Sequence, residues 1–201
     1  TEPPVMQKKF IKLSNKGSKP AITATQMLES MTHNPLPTRA EASDVANAIY
    51  DRTSAVMLSG ECAMGEYPVE CVKTMVKIAN RVEPEIDYWK RFKSNDNIDL
   101  TALEEKIAYS TCVMAMNMSA DAIVCYTHTG DSARRLSGLG PQCPIIAITD
   151  NRRTFNQLGL AWNVTPIYME KQENIDKTVE AGIKKATQKG ILEKGDMIVI
   201  S

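Results

Sequence analysis

The sequence predicts an α/β protein built in two blocks, and three observations predict it. Short apolar runs alternate with segments of helical periodicity from end to end. The runs are almost continuously apolar, as parallel strands covered on both faces are. A charged stretch containing Asn and Asp, residues 85–100, separates the two blocks.

In the first block Val5, Met6, Phe10 and Leu13 recur at helical spacing up to Lys16, and Gly17 and Pro20 end that helix. Residues 21–25 are long enough only for a buried strand. After a Pro-rich loop at 33–37, Thr38 and Glu41 form the pattern of a capping box. The helix it opens is expected to bury Ala42, Val45, Ala46 and Ile49. Residues 55–58 are the next buried strand, with Met57 in the core, and Ser59-Gly60-Glu61 turns the chain. Pro68 suits a first helical turn, and Val69, Val72, Val76, Ala79 and Val82 line the expected buried face. Two parallel strands with two or three helices bury their faces poorly, so this block lacks cover.

Residues 85–100, with Tyr88, Trp89 and Phe92, read as a helix end followed by a linker. Thr101 and Glu104 repeat the capping-box pattern for a helix to Met118, with Leu103, Ile107, Ala108 and Ala115 inward. Met114, Met116 and Met118 read as general packing residues. Strands at 122–127, 145–149, 164–168 and 197–200 then alternate with helices at 132–139, 151–158 and 175–189. Asp150 is the expected N-cap of the second of these helices, and Gly190 stops the third. Trp162 reads as a packing residue.

Lys plus Arg equal Asp plus Glu at 24 each, which excludes a broad electrostatic grip on nucleic acid but leaves room for a local anion site. No apolar run approaches the roughly 20 residues of a membrane helix, and no leader pattern is read at the start. The cysteines, Cys62, Cys71, Cys112, Cys125 and Cys143, are odd in number and contain no Cys-x-x-Cys. Reduced thiols in a cytoplasmic protein are expected, and a structural zinc site is not. The absence of a Gly-x-Gly-x-x-Gly loop weighs against an unrelated nucleotide-binding protein.

Five motifs carry a more specific signal. They are Ala24-Thr-Gln-Met-Leu-Glu-Ser30, Pro37-Thr-Arg-Ala-Glu-Ala-Ser-Asp-Val-Ala-Asn-Ala48, Met57-Leu-Ser-Gly-Glu61, Thr127-His-Thr-Gly-Asp-Ser132 and Lys194-Gly-Asp-Met-Ile-Val-Ile200. In order and spacing the sequence resembles the pyruvate kinase family over essentially its whole length. The resemblance implies a partial TIM barrel over residues 1–88, namely its last two βα units and the helix before them, followed by a small parallel-sheet C-terminal domain over residues 89–201. That explains the missing cover of the first block. It also implies transfer of a phosphoryl group from phosphoenolpyruvate to ADP, a glycolytic role, magnesium and potassium as cofactors, and a cytoplasmic homotetramer when full length.

In barrel enzymes the chemistry sits at the C-terminal ends of the strands. The family's phosphoenolpyruvate-contacting threonine falls on Thr25. A hydroxyl there can bond the substrate carboxylate and organise water near the carbon to be protonated; read without the family, it caps a turn. Ser59 resembles a serine lining the same pocket, or serves as the turn residue before Gly60. Glu29 and Glu61 suggest either acid–base or metal chemistry, or a structural role in capping or bonding Arg39 and nearby backbone; the structural role is the preferred reading. The family's essential lysine, magnesium carboxylates, potassium ligands and phosphate-binding arginine have no counterpart, lying upstream of Thr1. No metal ligand is therefore assigned, and the isolated chain is expected to be inactive. The start at Thr1 and the two-strand block favour part of a longer polypeptide over a non-catalytic effector-binding or oligomerisation module. Arg52 and Met64 stand where the family commonly has Gly and Lys.

In regulated family members the loop matching Thr127, Thr129, Gly130 and Ser132 binds the phosphate of a sugar-phosphate effector. Asp131 repels phosphate, so the preferred reading is a loop that only starts a helix. The two histidines, His33 and His128, are expected to be surface or hydrogen-bonded residues.

Overall fold

The computed structural model describes residues 3–95, 98 and 100–201; Thr1, and residues 96, 97 and 99 of the expected linker, lie outside the described residues. The chain divides into two units. One holds the residues up to Ser14 and Pro20–Asp87, the other Asn15–Lys19 and Tyr88–Ser201.

The first unit opens with α1 (Pro3–Lys16), all but its last two residues, and continues with β1 (Ile22–Thr23), α2 (Arg39–Tyr50), β2 (Ala55–Val56), the short α3 (Gly60–Ala63) and α4 (Pro68–Val82). β1 and β2 pair in parallel, Ile22 opposite Ala55 and Thr23 opposite Val56. Thr38 caps α2 as expected: its hydroxyl accepts from the Glu41 N–H, and the Glu41 carboxylate accepts from the Thr38 N–H. Pro68 stands in the first turn of α4.

Several burial expectations fail here, for one reason. The core of this unit is a single-sided cluster of Met27, Leu28, Met31, Val45, Ala48, Cys71 and Met75. Strand residues 21–25 and 55–58 are not buried: Ile22 and Met57 are exposed, and the strands reduce to two residues each. On α2 the fully buried pair is Val45 and Ala48, while Ala42, Ala46 and Ile49 are half-buried. α4 carries two apolar stripes. Cys71 and Met75 face the cluster, and Val69, Val72 and Val76 point outward. Val5, Phe10 and Leu13 of α1 are exposed too, with Ile11 buried instead. Sequence periodicity marks a stripe as apolar; only neighbouring elements decide whether it is covered.

The second unit begins with α5 (Tyr88–Lys93), so the expected linker contains a helical turn whose Phe92 enters the core. Phe92 stacks on Tyr109 at 5.3 Å between ring centroids, and Tyr88 lies 5.1 Å from Trp162, which packs as expected. Then follow α6 (Leu103–Asn117), β3 (Ala122–Tyr126), α7 (Asp131–Leu139), β4 (Ile145–Thr149), α8 (Arg152–Leu158), β5 (Val164–Tyr168), α9 (Ile175–Gln188) and β6 (Ile198–Ile200). All four strands are parallel, in the order β5-β4-β3-β6.

Alternate strand residues serve opposite faces. Ile123, Cys125, Ile145, Ala147 and Val199 pack against Ala108, Cys112 and Ala115 of α6, Leu136 of α7 and Leu158 of α8. Ala122, Val124, Ile146, Ile148 and Ile167 pack against Val179 and Ala186 of α9. This is the two-faced cover that uninterrupted apolar strands demand. The second capping box does not form: Ala102 is the N-cap of α6 and makes no side-chain bond, and Leu103 and Ile107 are exposed. Met114 and Met118 are exposed as well, on an open face of α6. Asn151, not Asp150, caps α8, because the Asp150 carboxylate is held by His128.

Two substitutions test this packing. A Cβ at Gly182 of α9 would lie 2.4 Å from Ile148 Cδ1 and 2.7 Å from its Cγ1, within a closed core. Gly182→Ala is therefore expected to destabilise the second unit by about 1–3 kcal/mol in urea unfolding. Arg52 follows α2 with φ of 65°, the left-handed strain that the family's glycine avoids. Arg52→Gly is expected to raise the melting temperature, by up to about 1 kcal/mol of stability, since relief of left-handed strain exceeds the added chain entropy.

Candidate functional site

The first candidate site is built on the loops that leave β1 and β2. Because the strands are parallel and in register, both loops emerge on one edge of the pair, and the Met57 N–H to Thr23 carbonyl bond, 2.9 Å, continues the ladder. Thr25 lies two residues past β1 and is exposed; Ser59 lies three past β2, exposed, at the N-cap of α3. Thr25 and Gln26 have φ of 76° and 56°, left-handed values in two consecutive non-glycine residues. For a β-branched residue that is a true outlier, costing of order 1–3 kcal/mol and characteristic of functional loops.

Two carboxylates fix this strained loop. Glu61 is fully buried. One of its oxygens accepts from the Leu28 N–H at 3.1 Å and the other from the Ser59 N–H at 2.7 Å. Burial alone would raise its pKa, but the bonds from Ser59, its own N–H and Leu28 outweigh burial and the repulsion of Glu41, so the group sits below the ordinary glutamate value. Glu41 adds a second tie. Besides the capping box, it accepts from the Ser30 N–H at 2.6 Å and from the Ser30 hydroxyl. Burial pushes Glu41 up, and its bonds from Ser30 and Thr38 bring it below its ordinary value. Glu61 thus takes the structural role, through backbone rather than through Arg39. Glu29 is exposed at the head of a 3-10 turn. Glu41 as a tether for Ser30 was missed in the sequence, where the capping pattern accounts for it completely.

The second candidate site is the loop between β3 and α7. Thr127 is buried and its hydroxyl accepts from the Gly130 N–H at 2.9 Å. Gly130, with φ of 89°, caps α7. Thr129 and Ser132 are exposed, and the Thr129 hydroxyl accepts from the Asp131 N–H at 3.4 Å. Asp131 is paired with Arg134 at 2.6 Å, and that bond first of all holds its pKa below the ordinary aspartate value. Arg134 also donates to the Thr129 carbonyl at 3.0 Å. The spacing of Asp131 and Arg134 on one helix turn was the signal available for this pair. A cleft of about 280 Å³ opens beside Asp131, Ser132 and Ser201, where β3 leads to β4 on one side and pairs with β6 on the other. Such a switch point is where open parallel sheets bind ligands.

His128 contacts Asp150 at 2.6 Å. Asp150 is raised by burial but brought below its ordinary value by bonds from His128 and Tyr126, while burial and Asp150 push Tyr126 up. His33 contacts Glu66 at 3.1 Å. Both histidines are thus exposed, hydrogen-bonded residues in separate units, as the sequence leads one to expect.

Two family models match the chain: the barrel domain of pyruvate kinase over residues 1–72 and its alpha/beta domain over residues 105–201. The chain is 44% identical over 198 residues to a pyruvate kinase of Clostridium acetobutylicum, covering 98% of this chain and 42% of that protein. It is 44% identical over 200 residues to a pyruvate kinase of Bacillus licheniformis, covering 100% of this chain and 34% of the relative. It also resembles the crystal structure of a pyruvate kinase from Cryptosporidium parvum, with a TM-score of 0.94 and 34% identity over 99% of this chain and 41% of that one. The chain thus spans well under half the length of these relatives.

The geometry of the second site is checked at Gly130. A Cβ there would lie 2.5 Å from the Arg134 guanidinium and 3.2 Å from Thr154 Cγ2. Gly130→Ala is expected to destabilise the second unit by about 1–2 kcal/mol, read as a lower urea midpoint.

Proposed function

Because the chain belongs to the pyruvate kinase family, we propose that it serves phosphoryl transfer from phosphoenolpyruvate to ADP, giving pyruvate and ATP, by supplying the last two strand-end loops of the barrel and the α/β domain. The observation that carries this reading is the strained, doubly tethered Thr25–Gln26 backbone at the C-terminal edge of β1 and β2. Backbone strain held by buried bonds is typical of a loop that positions a reacting group. In this role the Thr25 hydroxyl binds the substrate carboxylate and orders water at the carbon that is protonated, while Ser59 lines the same pocket from the neighbouring loop. Phosphoryl transfer depends mostly on positioning and charge neutralisation, and these residues contribute the positioning.

The family implies magnesium and potassium, and the two carboxylates that tie this loop are not free to hold either ion. Both oxygens of Glu61 are engaged by backbone N–H groups, and those of Glu41 by Ser30 and Thr38. Among the described residues there is no group of three or more His, Cys, Asp or Glu that could hold a metal. No step is therefore assigned to a metal on this chain. The charge-neutralising half of the centre belongs to other residues of a larger enzyme, a cytoplasmic homotetramer by family. The outward faces of α1 and α4 support that reading, since Phe10, Val69, Val72 and Val76 form apolar surface that further protein would cover.

The β3–α7 loop is proposed as a helix start rather than an effector site. Arg134, which donates to the Thr129 carbonyl of this loop, is already paired with Asp131, and Arg135, which lines the adjoining cleft, is paired with Glu105. No described helix is long and apolar enough to cross a membrane.

Two measurements test these readings. In a lactate-dehydrogenase-coupled assay with phosphoenolpyruvate, ADP, magnesium and potassium, the 201-residue chain is expected to show no turnover; turnover by the purified chain would overturn the division of labour. Asp131→Arg is expected to bind a sugar bisphosphate at least ~10-fold more tightly than the wild type in calorimetry, by removing repulsion and adding a cation. Equal affinities would remove the repulsion argument.

A further inference from the structure

We propose that Glu61 is a positioning residue for the Thr25 loop: its carboxylate fastens the loop after β1 to the loop after β2, and this holds Thr25 in its left-handed conformation. The proposal rests on the reading of Thr25 as a substrate contact only for what the clasp is for; the clasp itself is argued from bonds and backbone.

The loop is pinned on both sides of the strain. On one side the ladder ends with the Thr23 carbonyl accepting from Met57. On the other, the Leu28 N–H donates to Glu61, and two residues later Ser30 is held by Glu41. Residues 24–27 must span the interval, and Thr25 and Gln26 do so with positive φ. A single residue in that conformation is rare, and two in sequence persist only where the surroundings over-determine them. Glu61 is the surrounding group that links the two loops, because its other oxygen accepts from Ser59, the residue proposed to line the same pocket.

The carboxylate has no cationic partner among these bonds. Glu61 is fully buried and its carboxylate is stabilised by neutral N–H donors, so removal leaves the buried Leu28 N–H without an acceptor and deprives the Ser59 N–H of its partner. The backbone around Glu61 is itself fixed. The Glu61 carbonyl accepts weakly from Cys71 of α4, and a Cβ at Gly65 would lie 2.3 Å from that carbonyl. Of the titratable groups on the neighbouring helices, Glu41 of α2 repels the Glu61 carboxylate, and Glu61 in turn adds to burial in raising the Cys71 thiol of α4.

The test uses the 201-residue chain and no substrate. Nuclear magnetic resonance of the wild type is expected to give Thr25 and Gln26 the coupling constants and carbon shifts of left-handed backbone. In Glu61→Ala both are expected to move to extended values, with the Leu28 and Ser59 amides exchanging at least ~10-fold faster. Should Glu61→Ala lose the helical signal of α2 and α4, Glu61→Gln reads the same point. Its amide turns an N–H toward one of the two backbone donors, so one loop is released while the shape is kept. In wild type, protection of Leu28 and Ser59 is expected to fall together as pH drops through the lowered Glu61 pKa. That shared acid step should vanish in Glu61→Gln, where Glu41 still titrates. Left-handed signatures and amide protection unchanged in whichever variant keeps its helices would overturn the proposal. A purely structural Glu61 would lower the melting temperature while leaving the Thr25 signature in place, which also overturns it. Since no substrate is present, a failed clasp leaves the family role of Thr25 standing, and an inert Thr25 leaves the clasp standing.

Discussion

A parallel strand exposes two side-chain faces and both need apolar cover, a constraint that the rest of this molecule follows. In the second unit it is met: α6, α7 and α8 close one face of the sheet and α9 the other, and strand residues such as Ile123, Val124, Ile145 and Ile146 are completely buried. In the first unit two short strands have helices gathered on one core cluster, and Ile22 and Met57 stay exposed. The same shortage leaves Val69, Val72 and Val76 of α4 and Phe10 of α1 facing outward. These are the positions where a longer barrel would place neighbouring elements.

Within that partly covered unit, order at the strand ends comes from carboxylates bonded to backbone. Glu61 and Glu41 take N–H donors from Leu28, Ser59, Ser30 and Thr38, and so cross-link segments far apart in sequence. Charge-assisted bonds of this kind are stronger than neutral ones and keep the acids ionised despite burial. An acid held in this way is a poor proton donor at neutral pH, so neither glutamate is suited to that task. Asp150 follows the same logic in the second unit, joining the ends of β3 and β4 through His128 and Tyr126.

Local patterns were legible wherever a few adjacent residues carry the whole cause. The Thr38–Glu41 capping box, Pro68 at a first turn, Gly190 past α9 with φ of 68°, and strands β4 and β5 with their bounds all follow from short-range chemistry. The strain at Arg52 was legible from the departure from glycine. Other readings failed where the fold put the cap on a different residue. Thr101 and Glu104 match a capping box, yet Ala102 caps α6. Asp150 suits an N-cap, yet it bonds His128 and leaves the cap to Asn151.

The sequence by itself determined the family, the alternation of strands and helices, and the residues at the two strand ends, because motif spacing and turn chemistry are properties of contiguous chain. Only the tertiary structure decided which apolar stripe is inside, that Glu61 ties two loops together, and that Thr25 and Gln26 are held left-handed between them. The physical reason is that burial and hydrogen bonding are relations between segments that lie apart in the chain, as Leu28 and Glu61 do by 33 residues, and a buried carboxylate takes its role from whichever N–H groups the fold brings to it.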